Sequence, residues 1–265
     1  PTNLYFTSID NVLFSKNKAT LIRYPLKCIN QDYRIPLGVM SIEMFAFYHC
    51  NNLIAITIPA TVVSIGDNAF LDCLHLMRII VEYNNPAFIS DDGILFRKNC
   101  KALICFPSAK NLSSYEIPIT CEYIEDNAFS SCRNLTTIHI PSSIKSIGHS
   151  AFSYCSKLTN INIPAGITSI SESAFSDCHE LATICIPSTV QSIGNKAFLN
   201  CYSLSAITIP SSVKSIGEYA FCRCYCLKSF IIPVNVTEIA YHTFDSCYML
   251  KSVVIPQGVV SIGPY

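Results

Sequence analysis

The dipeptide Ile-Pro recurs along this 265-residue chain at a fixed interval. The prolines of these dipeptides are Pro36, Pro59, Pro118, Pro141, Pro164, Pro187, Pro210, Pro233 and Pro256. Consecutive members are 23 residues apart, except for one interval of 59 residues. A period of about 20–50 residues is typical of solenoids, in which each coil contacts only its neighbours and the stacked coils build one core. The chain is therefore predicted to be a solenoid.

The residues around each Ile-Pro define the repeated unit L-x-x-I-x-I-P-x-x-V-x-x-I-G-x-x-A-F-x-x-C-x-x, for which residues 158–178, LTNINIPAGITSISESAFSDC, are a full example. Apolar and polar residues alternate before the proline, which is the period of a strand with one buried face. Proline ends that strand because it has no N–H to donate to a sheet. The I-G segment predicts a second short strand, and the A-F segment predicts a short helical or 3₁₀ turn that closes the coil.

One phenylalanine occupies the same position in every coil. These residues are Phe47, Phe70, Phe129, Phe152, Phe175, Phe198, Phe221 and Phe244. Because stacked coils bring equivalent positions into register, we expect a buried column of aromatic rings.

The 59-residue interval contains an inserted module. Residues 88–118 match residues 6–36 at a constant offset of 82, including a Leu-Phe pair, a turn with lysine and asparagine, and an aromatic-Pro pair. Each module is predicted to be a β-hairpin, with strands 94–96 and 102–106 in the second one. The repetition favours a structural role, and a recognition device is the alternative. The predicted organisation is one solenoid over 1–265, with hairpin modules at 6–36 and 88–118 and coils at 36–81 and 118–265.

The repeated I-P, S-I-G and A-F-x-x-C elements, together with inserts of the D-G-x-L-F type, resemble the BspA-like leucine-rich repeats. The resemblance covers nearly the whole chain. It implies a strand-rich α/β fold, a right-handed leucine-rich-repeat solenoid with a parallel β-sheet on the concave face. It also suggests a surface or secreted protein of a bacterium or protist that binds host or microbial macromolecules, with a composition more similar to protist members.

Charge composition argues against two classes of partner. Lysine plus arginine and aspartate plus glutamate number 18 each, so the net charge is zero. Nucleic-acid-binding proteins usually carry a basic face, and anionic membranes attract clusters of basic residues. Proline interrupts every apolar run before it reaches the about 18–20 residues that span a bilayer. We therefore expect no nucleic-acid partner and no direct membrane insertion of this segment.

Motifs of catalysis and metal binding are missing from the sequence. It contains no P-loop, no G-x-G-x-x-G, no G-x-S-x-G, no H-E-x-x-H and no C-x₂-C pair. Asp91 and Asp92 precede Gly93, which is typical of a turn rather than of an acid–base pair. The Ser pairs after the prolines are interpreted as repeated turns and not as nucleophiles. No enzyme activity, cofactor or metal is expected.

Eight of the 15 cysteines recur with the repeat: Cys50, Cys73, Cys132, Cys155, Cys178, Cys201, Cys224 and Cys247. A cysteine that recurs beside an apolar column is most simply a small buried side chain. Cys121 is predicted to be in the core and Cys185 to face outward from the sheet. Cys100 and Cys105 lie in the second module where the first has lysine and arginine, which argues against an essential disulfide.

The stretch FCRCYC, residues 221–226, separates into unlike parts once the repeat is aligned. Cys224 is at the recurring cysteine position and is predicted to be buried. Cys222 and Cys226 stand at variable positions and are predicted to be exposed. Alkylation of the native protein is expected to label these two before Cys224.

Three Asn-x-Ser/Thr triplets, at Asn111, Asn134 and Asn235, are candidate glycosylation sites in a secreted eukaryotic protein. A chance origin is the alternative, because the chain is rich in serine and asparagine. The last residues, Ser261 to Tyr265, stop before the next expected Ala-Phe. Since solenoids need capped ends, we expect either further sequence or a shielded end.

Solenoids bind partners on the extended concave face. The outward positions of the predicted strands give the candidate ligand-binding residues Arg78, Thr137, His139, Asn160, Asn162, Thr183 and Thr208. The alternative is that these residues form an ordinary strand surface, selected for strand propensity and not for a ligand. The first functional hypothesis is a non-catalytic, adhesin-like surface or secreted protein that binds protein or glycan on a host or microbial surface. The alternatives are an intracellular, cytoplasmic interaction scaffold and, more remotely, a glycan-processing enzyme.

Overall fold

The computed structural model describes residues 3–98 and 101–264. The prediction for Cys100 lies outside the described residues, as do the outermost residues of the predicted domain, Pro1 and Tyr265. The chain divides into two compact units, Pro1–Asn111 and Leu112–Tyr265. That one solenoid extends over 1–265 therefore stays a prediction, and the units are described separately.

The first unit consists of short strands. They are β1 Phe6–Ile9, β2 Val12–Ser15, β3 Thr20–Arg23, β4 Asp32–Arg34, β5 Ser41–Ile42, β6 Ala55–Ile58, β7 Ser64–Ile65, β8 Arg78–Val81, β9 Phe88–Asp91, β10 Ile94–Arg97 and β11 Ala102–Cys105. Strands β4, β6 and β8 form one parallel sheet, and β3, β5 and β7 run parallel in another.

The second unit repeats the same two rows of strands. They are β12 Ser114–Glu116, β13 Tyr123–Ile124, β14 Thr137–His139, β15 Ser146–Ile147, β16 Asn160–Ile161, β17 Ser169–Ile170, β18 Thr183–Cys185, β19 Ser192–Ile193, β20 Ala206–Thr208, β21 Ser215–Ile216, β22 Ser229–Ile231, β23 Glu238–Ile239, β24 Ser252–Val254 and β25 Ser261–Ile262. Pairing is parallel with a register of 23 residues, as in Thr183↔Ala206 and Ser192↔Ser215. The fold is a strand-rich solenoid with parallel sheets, as the repeat predicts.

Each inserted module has three antiparallel strands rather than two. In the second module β10 pairs with both β9 and β11, and the register shifts between Leu95 and Phe96. In the first module β2 pairs with β1 and β3 and has the equivalent shift between Leu13 and Phe14. The predicted strand pair is present, and the strand that begins at Phe88 is an addition to it.

The predicted helical or 3₁₀ turn at Ala-Phe is wrong, because no helix is present in the described part of the chain. In the coil of residues 173–178, Ala174 N–H donates to the carbonyl of Ser171 at 3.2 Å, so it closes a tight turn. Phe175 N–H donates instead to the carbonyl of Ala197 in the next coil, at 2.9 Å. An α-helix directs every N–H along its own axis, whereas here every second N–H joins two coils.

Left-handed residues make this alternation achievable. The backbone φ is positive at the positions two before and two after the column phenylalanine, for example 55° at Ser173 and 61° at Asp177. Asn and Asp adopt this region more readily than other non-glycine residues. Each left-handed residue changes the direction of the backbone, so the segment continues as a series of tight turns and does not wind into a helix.

The predicted aromatic column is present in both units. Phe152, Phe175 and Phe198 are fully buried, with ring centroids 5.4 and 5.5 Å apart and interplanar angles of 7° and 6°. In the first unit, Phe47 and Phe70 stack at 5.5 Å. The column fixes the coil spacing from inside, while the parallel strands fix it from the surface.

Candidate functional site

The recurring cysteines are buried, as predicted, and they also make a hydrogen bond that the sequence did not indicate. The Sγ of Cys178 donates to the carbonyl of Phe152 at 3.2 Å, and the Sγ of Cys201 donates to that of Phe175 at 3.1 Å. The Phe175 carbonyl also accepts the N–H of Cys178 at 3.4 Å. Each thiol therefore joins its coil to the preceding one.

Burial makes these thiols poor nucleophiles. It raises the pKa of Cys50 to about 11 and that of Cys247 to about 12, because the thiolate is poorly solvated in the core. The pKa values of Cys178, Cys201 and Cys224 are also well above the ordinary range, first through burial and then through neighbouring thiols. The recurring cysteines are structural.

The prediction that Cys222 is exposed is wrong, since only 3% of its surface is accessible. Its Sγ lies 3.9 Å from Asp245 Oδ2, and His242 Nδ1 lies 3.3 Å from the same oxygen. Burial and then the carboxylate raise the pKa of the Cys222 thiol. A nucleophilic cysteine is activated by an adjacent base or by a lowered thiol pKa, whereas the pKa of this thiol is raised and its nearest polar neighbour is a carboxylate. Cys226 is half-buried.

The hydroxyls that follow the prolines are structural, as the repeat predicts. Ser143, Thr189 and Ser212 each donate from the side chain to a carbonyl of the preceding coil, at 2.7, 2.7 and 2.6 Å. Within the described residues, no group of three or more His, Cys, Asp or Glu side chains is arranged to hold a metal ion.

The outward side chains of the strands that precede the prolines form a surface that we call the strand face. In the second unit it includes His139, Asn160, Asn162, Thr183 and Thr208, all exposed, and Thr137, which is half-buried. The structure thus brings the six predicted residues of this unit onto one face.

Arg78, the remaining predicted binding residue, lies on the strand face of the first unit. Its guanidinium Nη2 is 3.4 Å from Asp32 Oδ1, and nearby Arg34 Nη2 is 2.5 Å from Glu82 Oε1. Exposed ion pairs contribute little to stability. These pairs do leave the charges of this surface locally balanced, so it offers no single-sign patch to a ligand.

Asn162 has a structural task on the strand face. Its Nδ2 donates to the carbonyl of Ile140 at 3.0 Å, and its Oδ1 accepts the N–H of Ile140 at 3.2 Å. The side-chain amide therefore replaces backbone pairing at the point where β16 ends. A ligand would have to compete with both bonds, which leaves Asn160 and Thr183 as the more available neighbours.

The strand face becomes less polar along the second unit. Cys185 and Thr208 are exposed, and Ile231 and Val254 are 66% and 56% exposed. A shallow depression of about 260 Å³ lies between β18 and β20 and is lined by Cys185, Ala206, Thr208 and Pro210. No charged side chain lines it, so the depression suits contact by shape rather than by charge.

A second surface feature, half-buried except at Tyr248, was not found from the sequence. Four rings at the position four residues after the column phenylalanine, His179, Tyr202, Tyr225 and Tyr248, stack with centroid distances of 4.5, 4.8 and 5.2 Å. We call them the tyrosine ridge. The signal was present in the sequence, because the four residues recur every 23 positions.

Polar groups lie beside the tyrosine ridge. Asp177 Oδ1 accepts the Nδ2 of Asn200 at 2.8 Å, and His179 Nε2 lies 3.8 Å from the same oxygen. Burial and then Tyr225 raise the pKa of Tyr202, so its hydroxyl stays protonated and can donate. Stacking covers both faces of Tyr202 and Tyr225, so these rings present edges and hydroxyls, whereas Tyr248 is stacked on one side and is 78% exposed.

The three predicted glycosylation sites, Asn111, Asn134 and Asn235, are exposed. The Asn235 Nδ2 donates to the Ser211 carbonyl at 2.7 Å, so that amide already has a partner. Glycosylation itself stays a prediction.

Over residues 3–98 and 101–264, no helix is long and apolar enough to cross a membrane.

Three solved structures of bacterial proteins have a similar fold. A leucine-rich repeat protein from Eubacterium ventriosum is 24% identical, with a TM-score of 0.71 over 86% of this chain and 67% of its own. A leucine rich cell surface protein from Faecalibacterium prausnitzii is 28% identical, with a TM-score of 0.63 over 84% of this chain. The pneumococcal vaccine antigen PcpA is 22% identical, with a TM-score of 0.55 over 88% of this chain. This chain spans 59% and 56% of the length of the last two proteins.

A comparison with curated proteins finds no match. The BspA type leucine rich repeat region matches residues 7–92, 103–227 and 147–265 in six copies. These matches include nearly every coil that the Ile-Pro period defines. The chain belongs to the family of BspA-type leucine-rich repeat proteins.

Proposed function

We propose that this protein is a non-catalytic binding protein of a cell surface or secreted type, which holds a protein or glycan partner on a host or microbial surface. The fold family consists of repeat proteins, and two structural neighbours are described as a cell surface protein and a vaccine antigen. Repeats specify a scaffold, so the ligand depends on exposed positions.

The observation that carries the proposal is the strand face of the second unit. The exposed side chains at one strand position of this face, Cys185, Thr208, Ile231 and Val254, carry no charge, and the depression lies beside Cys185. The cores of protein interfaces are depleted in charged residues and are rich in apolar contact. A broad surface with a shallow depression fits a macromolecule better than a small metabolite.

Binding to printed arrays of glycans and of purified surface proteins tests the proposal. The double variant Thr183→Lys with Thr208→Lys puts two charges on the strand face, and we expect at least a tenfold loss of affinity for each hit. Ser188→Lys is the matched control, since Ser188 is equally exposed but lies after the proline. Full affinity of the double variant for all hits contradicts the proposal.

An intracellular interaction scaffold is the second candidate, and the thiols favour it. Cys155, Cys178 and Cys201 each donate to a backbone carbonyl instead of forming a disulfide. Disulfides are usual in oxidising compartments and rare in the cytosol. Fractionation of cells from the native source, with the protein detected by mass spectrometry, separates the candidates: a surface role is contradicted if the protein is found only inside cells.

A further inference from the structure

The two inserted modules begin with the same hydrogen bonds. Asn3 Oδ1 accepts the N–H groups of the residues two and three positions later, at 2.8 and 2.9 Å, and Lys16 Nζ donates to the Asn3 carbonyl at 2.7 Å. In the second module Asn85 Oδ1 accepts the equivalent N–H groups at 2.9 and 2.8 Å, and Lys98 Nζ donates to the Asn85 carbonyl at 2.7 Å. Asn3 and Asn85 are therefore equivalent.

The second module uses its asparagine to bind a neighbouring coil. Asn85 is 1% exposed, and its Nδ2 donates to the carbonyls of Pro59 and Val62, both at 2.9 Å. Phe88, which begins β9, is fully buried. The side-chain amide gives the Val62 carbonyl a donor and adds a second donor to the Pro59 carbonyl, which already accepts the Val62 N–H at 3.2 Å.

The first module presents the same groups to solvent. Asn3 is exposed, Tyr5 is 73% exposed, and Phe6, the equivalent of Phe88, is 45% exposed. Within the described residues no Pro-x-x-Val turn accepts a hydrogen bond from the Asn3 Nδ2. Both N–H groups of that amide and the face of an aromatic ring are thus available side by side.

We propose that Asn3, Tyr5 and Phe6 form a docking surface for one further leucine-rich-repeat coil that carries a Pro-x-x-Val turn. The two carbonyls of that turn accept the Asn3 amide, and the apolar residues of the coil cover Phe6. The occupant is a whole coil and not a short peptide. The coil next to the second module also contributes a strand, from which Ile79 N–H donates to the Gly93 carbonyl at 2.8 Å.

One difference between the modules specifies the sequence of the coil. A Cβ added at Gly93 would lie 2.7 Å from the Cβ of Arg78. The first module has Asn11 at the position of Gly93, with a φ of 65°. The Cβ of Asn11 would therefore meet any side chain at the position of Arg78 in a coil docked in the same way. The coil that fits the first module therefore carries glycine at the position equivalent to Arg78.

The test extends the protein at Asn3 with a copy of the two coils that precede the second module. A copy of residues 36–84, with Arg78→Gly in the copy, is joined directly to Asn3, so that Asn3 follows it as Asn85 follows residue 84. We expect chymotrypsin to cleave at Tyr5 and Phe6 at least tenfold more slowly in the extended protein. We also expect Asn3→Ala to lower the urea midpoint of the extended protein more than that of the original chain, in which the Asn3 side chain bonds only the N–H groups of Tyr5 and Phe6.

Asn85→Ala is the internal control, because it should lower the urea midpoint equally in both proteins. The proposal is contradicted if Asn3→Ala lowers the urea midpoints of the two proteins equally. It is also contradicted if chymotrypsin cleaves at Tyr5 and Phe6 as fast in the extended protein as in the original chain. Analytical ultracentrifugation gives a further test. If the original chain self-associates and Asn3→Ala abolishes that association, the occupant is a second copy of this chain and the proposal is overturned.

Discussion

Two glycines of neighbouring repeats should respond oppositely to the same substitution. A Cβ at Gly194 would lie 2.6 Å from the backbone N of Glu172, whereas a Cβ at Gly166 would meet only the Ile144 carbonyl, at 3.4 Å. Contacts near 2.6 Å require the backbone of one coil to move away from the other. Neither residue has positive φ, so conformational freedom does not distinguish them.

We expect Gly194→Ala to lower the free energy of unfolding by about 1–3 kcal/mol, the usual cost of overpacking. Ser171 and Ala240 occupy the same repeat position in other coils, so the coils can separate slightly, and this limits the cost. Gly166→Ala should raise stability by about 0.4–1 kcal/mol, because alanine has less conformational entropy in the unfolded chain.

Urea unfolding followed by far-UV circular dichroism measures both variants against the parent protein. The reasoning is refuted if Gly194→Ala is as stable as Gly166→Ala, or if the order is reversed.

Three further predictions follow from the core and its thiols. Phe175→Ala removes a ring stacked on both sides and should lower the free energy of unfolding in urea by about 3–5 kcal/mol. A smaller loss than that of Phe244→Ala, which removes a partly exposed ring, would contradict the stabilising role of the aromatic column. Timed alkylation with peptide mass mapping should label exposed Cys185 before Cys222 and Cys224, which are 3% and 0% exposed, and early labelling of Cys222 would reject its burial. The folded state raises the pKa of Cys50 to about 11 and that of Cys247 to about 12. The stability that these neutral thiols contribute is therefore complete below the unfolded thiol pKa of about 8.5 and is lost as pH rises through the folded-state values. Cys247→Ala should flatten the alkaline part of a plot of urea midpoint against pH, and an unchanged slope would contradict this prediction.

The repeat period predicted the strands well because each strand depends on local alternation and on stacking of like residues. The 23-residue period accounts for three observed features: the register between strands, the column that contains Phe175, and the burial of Cys201. The strand face followed too, since the side chain between two buried strand residues must point outward.

The turns could not be predicted in the same way. Ala-Phe suits a helix, and only the left-handed backbone at Ser173 and Asp177 turns the segment toward the next coil. Cys222 was misplaced because Ser176, Leu199 and Asp245 at its position differ in polarity, which suggested exposure. Ser153 and Ser176 are each 5% exposed at this position, whereas Leu199 and Asp245 are half-buried, so the turns enclose a small side chain such as that of cysteine.

The role of Asn162 was also beyond the sequence. An outward asparagine on a strand looks available to a ligand, and its two bonds to Ile140 depend on where β16 ends. Strand ends are set by the fit between coils, which the pattern does not encode at the level of one residue.

Cys185 gives the most direct measurement of the central claim that the strand face binds the partner. Its thiol is exposed at the depression between β18 and β20. A bulky maleimide attached there, in a Cys28→Ser, Cys100→Ser, Cys105→Ser, Cys226→Ser background, covers that face without a mutation on it. Surface plasmon resonance against an array hit should then show affinity at least tenfold weaker than for the unlabelled protein. Unchanged affinity at complete labelling would contradict the account.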